Sequence, residues 1–66
     1  MTRFYLFERT NEFDENGLRI IRRQTSAQVH AMLEAGYKNR VWRDEIGFYI
    51  DIDDDAEAAL FKLSFL

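Results

Sequence analysis

Cysteine and proline are missing from the chain, and 66 residues contain only one histidine and three glycines. Without cysteine there is neither a disulfide staple nor a thiolate metal site, so apolar burial has to hold the fold by itself. Without proline the usual punctuation between elements is absent, and boundaries must be read from Asn, Asp, Thr and Gly. There is no glycine-rich phosphate loop, no His/Cys ligand cluster and no nucleophile beside a base, which argues against an enzyme and against any cofactor or metal. No long apolar run occurs either. "MTRFYLFERT" has one Arg before a short apolar run that ends at Glu8, too short for a signal peptide or a membrane span. The expectation is a soluble, cytoplasmic protein that makes no membrane contact, with residues 1–66 forming one domain.

What is present is aromatic and acidic. Six Phe, three Tyr and one Trp make up 15% of the chain and must supply most of a small core. The net charge of −3 disfavours non-specific binding to nucleic acid or anionic lipid. Its distribution is blocked: Arg19, Arg22, Arg23, Lys38, Arg40 and Arg43 stand against Glu34 alone, and residues 44–57 then carry only acids.

"TRFYLFE" predicts a first strand and "RTNEFDENG" a connection turning at Asn16-Gly17; "LRIIRRQ" completes a hairpin. "TSAQVHAMLEAG" predicts a helix over 26–35, with Thr25 as N-cap, Gln28 closing a capping box, Val29, Met32 and Leu33 at helical spacing, and Gly36 as the stop. "YKNRVWRDEIGFYIDID" predicts two strands joined near Asp44 to Gly47, with Phe48, Ile50 and Ile52 on one side and Tyr49, Asp51 and Asp53 on the other. In "DDAEAALFKLSFL" Asp54 caps a last helix, with Glu57 at its third position and Ala56, Ala59, Leu60 and Leu63 as packing residues; an extended edge segment is the alternative for "FKLSFL". The order is ββαββα, an α+β fold with an antiparallel sheet and helices on one face.

The sequence's densest feature is "DEIGFYIDIDDDAE", with Asp44, Glu45, Asp51, Asp53, Asp54, Asp55 and Glu57 in fourteen positions. Helix capping and solvation account for the last four, since carboxylates satisfy free N–H groups at a helix start. Asp51, Asp53 and Asp55 fit the opening of a calcium loop, but Ala56 and Lys62 stand where glycine and a bidentate glutamate are needed. A third reading is mimicry: carboxylates spaced like phosphates along a strand would bind a basic nucleic-acid-binding protein, so these seven residues become the candidate partner-binding set. His30 is expected at the surface.

Two further surfaces compete. Arg19, Arg22, Arg23, Arg40 and Arg43, with Trp42 and Tyr37, have the look of a single-strand binder, opposed by the net charge, so no direct nucleic-acid contact is expected. "FYLF" lacks polar alternation, so Tyr5 and Phe7, with Tyr49, would lie on a sheet face left open by the helices. Such a patch suits an interaction module or a homodimer, for instance a small regulatory or toxin-neutralising protein.

From "MTRFYLFERTNEFDENGLRIIRRQ" onward, this small, cysteine-free chain with its acidic edge resembles the phage-type anti-CRISPR proteins directed at type I effector complexes. That class shares no common motif, so no residue's role is carried over. The resemblance implies an inhibitor that keeps target DNA from the effector's basic groove; a monomer rather than a homodimer is expected.

Overall fold

The computed structural model describes all residues, Met1 to Leu66. Strands β1 (Thr2–Phe13), β2 (Arg19–Arg23), β3 (Val41–Arg43) and β4 (Gly47–Ile52) alternate with helices α1 (Ser26–Met32) and α2 (Asp55–Phe65) in the expected ββαββα order. They form one antiparallel sheet in the order β2-β1-β4-β3, and both helices pack on the same face.

β1 is longer than the apolar run that predicts it. Its first half pairs with β4 and its second half with β2; only Phe7 and Glu8 pair on both sides. Residues 9–13, expected as connection, are held in the strand by β2, helped by Thr10 Oγ1 donating to the Ile20 carbonyl at 2.7 Å. The chain then reverses at Asp14, whose Oδ1 accepts from the Asn16 and Leu18 amides at 2.9 Å each. This two-stranded ribbon projects from the body and stretches the molecule to 40 Å in its longest dimension.

α1 begins as its sequence specifies, with the Thr25/Gln28 capping box formed in both directions at 3.1 and 2.8 Å. After Met32 the helix widens into a π-type turn, Leu33–Tyr37, and Gly36 ends it at φ 105°, a conformation that favours glycine. A short 3-10 turn, Lys38–Arg40, leads into β3.

Leu6, Met32, Ile50, Ile52, Ala58 and Phe61 form the buried core, with Phe4, Tyr37, Val41 and Phe65 packed around it. Phe61 is its centre: the rings of Phe4, Tyr37 and Phe65 lie 4.7, 5.0 and 5.1 Å from its own. In β4, Ile50 and Ile52 point into this core as expected, with Phe48 on the same face at its margin.

Two expected side-chain placements are also overturned. The C-terminal segment is helical, but Ala56, Ala59, Leu60 and Leu63 do not pack: they are exposed, and Ala58, Phe61 and Phe65 face the core instead. Helix α2 carries two apolar stripes, and the one bearing two phenyl rings buries more area per turn than the leucine stripe. The second correction concerns Phe7. Between Tyr5 and Phe7 the β1–β4 register shifts, so Leu6 and Phe7 together oppose Phe48. This bulge turns Phe7 away from Tyr5 and Tyr49 to the helix-bearing face, where its ring meets Phe48 at 6.5 Å. No helix is long and apolar enough to cross a membrane.

Candidate functional site

With both helices on one side, the other face of the sheet is uncovered. Pairing across three strands places Tyr5 of β1 opposite Tyr49 of β4, and Tyr49 opposite Trp42 of β3, making one transverse aromatic row. The Tyr5 and Tyr49 rings meet edge to face at 5.7 Å. Trp42, on an edge strand, is 64% exposed and packs against no other ring.

Arg3, one row along, organises this face. It faces Asp51 across the β1–β4 ladder and grips it with two hydrogen bonds, Nε to Oδ1 at 2.8 Å and Nη2 to Oδ2 at 3.0 Å. Its Nη1 reaches Asp44 Oδ2 at 3.4 Å, and its guanidinium carbon lies 3.8 Å from the centre of the Tyr49 ring. The Tyr5 hydroxyl donates to the same Asp44 oxygen at 2.8 Å, while Asp44 Oδ1 accepts from the Ile46 and Gly47 amides and shapes the β3–β4 turn.

These contacts set the protonation of the face. The Gly47 amide, with the Tyr5 hydroxyl, the Ile46 amide and Arg3, holds Asp44 below the usual carboxylate range. Arg3 does the same for Asp51. Donation to Asp44, reinforced by partial desolvation, pushes the Tyr5 hydroxyl upward.

The seven candidate carboxylates therefore do not form one free ridge. Asp44 and Asp51 belong to the Arg3 network on the open face. Glu57 is bound by Arg40 at 2.6 Å, a contact that ties the 3-10 turn to the first turn of α2 and pushes the arginine's basicity higher. Asp54 Oδ2 accepts from the Glu57 amide at 3.0 Å as the N-cap of α2. Only Glu45, in the β3–β4 turn, and Asp53 and Asp55, around the start of α2, are exposed without a hydrogen-bond or ion-pair partner. The arginines of β2 take no part in neutralising the acidic block; Arg22 reaches only Glu12, at 3.5 Å.

The aromatic and basic residues are likewise dispersed. Tyr37 is committed to the core beside Phe61 and Phe65, and Arg40 to Glu57, so neither joins Trp42 in a stacking surface. His30 is at the surface as expected, 3.0 Å from Glu34 one helical turn on. No local motif marks Arg3 in the sequence. Its signal was available only in the pairing register, which sets it against Asp51, forty-eight positions away.

Comparison with protein-family models, curated proteins and solved structures finds no match for the chain.

Proposed function

We propose that the chain is a protein-binding module that engages its partner through the open face of the sheet. One observation carries the reading: the Tyr5, Tyr49 and Trp42 row lies on the sheet face that neither helix covers, the two tyrosines half-buried beside Arg3 and Trp42 projecting at 64% exposure. Tyr, Trp and Arg are the residue types that dominate binding hot spots, because each offers a large contact area with few rotatable bonds or a rigid fork of donors. Here Arg3 and the two tyrosines are already immobilised by hydrogen bonds and ring contacts, so little ordering entropy remains to be lost on association.

A protein fits this face better than a nucleic acid does. Stacking aromatics serve single strands when a basic groove follows the backbone. Here Arg3 is neutralised by Asp51 and Asp44, and the next row pairs Glu8 with Arg22, so the face offers no net positive field.

Trp42→Ala is the clean test, since the side chain makes no hydrogen bond or ring contact within the molecule. Partner capture from lysate of the source cells is expected to weaken by about thirtyfold or more, as for a central hot spot, with the urea midpoint unchanged. Undiminished capture would remove the open face from consideration.

A second reading is favoured by the three unpaired carboxylates Glu45, Asp53 and Asp55. They support an inhibitor that sets the acidic start of α2, Asp53 and Asp55, into the basic groove of a nucleic-acid-binding effector, with Glu45 at the far end of β4 as an outer contact, the kind of target the resemblance implies. Asp53→Lys with Asp55→Lys is then the variant that loses the partner, and its binding falls steeply with salt.

A further inference from the structure

Helix α2 has an apolar face with nothing against it. At 100° per residue, Ala58, Phe61 and Phe65 occupy an arc of about 60° directed at the core, and Ala56, Ala59, Leu60 and Leu63 are centred about 180° away. Leu60 is 63% and Leu63 86% exposed, whereas Phe61 between them is 1% exposed. A surface helix ordinarily turns its polar face to water. In α2 the polar residues are confined to the two flanks, Asp55 and Lys62 on one and Glu57 and Ser64 on the other.

We propose that this stripe is the contact surface of a homodimer, in which α2 packs antiparallel against α2 of a second copy. A two-fold axis between Ala59 and Leu60 sets Ala56 opposite Leu63 of the second copy and Ala59 opposite its Leu60. Every large side chain then meets a small one, and the backbones can approach closely. The same axis brings like flank against like flank in opposite directions, so Lys62 comes beside Asp55 of the second copy, twice. Neither residue has an ion-pair partner within the chain, and both are exposed. Parallel pairing would set the Asp55 and Lys62 flank against the Glu57 and Ser64 flank of the second copy, bringing Asp55 beside Glu57 and leaving Lys62 beside Ser64, and would align the helix dipoles, which counts against it on charge.

The contact is small, since a helix of eleven residues spans only about 16 Å. The dimer is therefore weak and concentration-dependent. It replaces the monomer expected from the sequence and leaves the open face of the sheet free for the partner proposed above.

Sedimentation equilibrium of the full chain over a concentration series tests the arrangement. The wild type is expected to pass from one to two chain masses as concentration rises. Leu60→Ser with Leu63→Ser should remain monomeric while keeping its far-ultraviolet dichroism and urea midpoint, because both positions are outside the core. Asp55→Lys should weaken the dimer, and Asp55→Lys with Lys62→Asp should restore it. A wild type that stays monomeric up to about 1 mM, or a dimer indifferent to the leucine pair, overturns the proposal. A dimer lost with the leucines but not restored by the charge exchange overturns the antiparallel register.

Discussion

Arg3 is where sequence-distant residues become one surface. It joins the first strand to the β3–β4 turn through Asp44 and to the C-terminal end of β4 through Asp51, and it lies over Tyr49. The pH dependence follows from the direction of each shift. Asp44 and Asp51 titrate lower in the folded chain than in the unfolded one, so their stabilisation is present above the ordinary carboxylate range and lost as pH falls through the folded values. Tyr5 runs the other way: its folded value is raised, so its contribution is complete below the unfolded phenol value and lost as pH rises through the folded one. The urea midpoint is therefore expected to hold between neutrality and about pH 5 and to fall below about pH 4. In Arg3→Gln that acid decline should be shallower, because Asp51 loses the main cause of its shift. It should not vanish, since the Gly47 and Ile46 amides still favour ionised Asp44. An unchanged acid profile in Arg3→Gln contradicts the assignment.

At the scale of elements, much was legible in the sequence, and the exceptions share a cause. The capping box of α1, the Gly36 stop, the Asp54 cap and the alternation of β4 are local signals, and each is found where the residues put it. The packing face of α2, the side taken by Phe7 and the continuation of β1 through residues 9–13 depend instead on tertiary partners. Periodicity finds both apolar stripes of α2 but cannot rank them; the choice is made by Phe4 and Tyr37, which await a ring at position 61. Phe61→Ala is accordingly expected to cost about 3 to 5 kcal/mol, and Leu63→Ala less than about 0.5 kcal/mol at concentrations where the chain is monomeric. Equal costs in urea titration would mean that α2 is rotated. The bulge has its own counterpart in Gly47, which is buried and whose missing Cβ would collide with the Phe7 carbonyl. Gly47→Ala must displace one strand from the other, and a loss of about 2 to 3 kcal/mol is expected from overpacking at this site. A change within about 0.5 kcal/mol would show that the strands are further apart there.

For the whole molecule, the sequence read correctly as one α+β layer arrangement, while its most conspicuous feature divided on folding. The acidic stretch spans a turn, a strand, a link and a helix start, and the twist and pairing of those elements send its members to different neighbours: Arg3, Arg40, the α2 amides and solvent. Charge density along a chain is not charge density on a surface. The open sheet face was anticipated through Tyr5 and Tyr49, but Trp42 joined it only through the β3–β4 register. A radius of gyration of 13.1 Å, against about 11 Å for a compact chain of this length, reflects the projecting ribbon and leaves the body small. That body turns a helical face and a sheet face outward in opposite directions, one suited to a second copy and the other to a different protein.

Side-by-side capture with wild type, Trp42→Ala and Asp53→Lys/Asp55→Lys as baits, each verified as folded, asks which face binds. The expected result is a partner held by the wild type and the charge-reversed chain and lost with Trp42→Ala. Retention by Trp42→Ala with loss on charge reversal contradicts the open-face reading and transfers the function to the acidic start of α2.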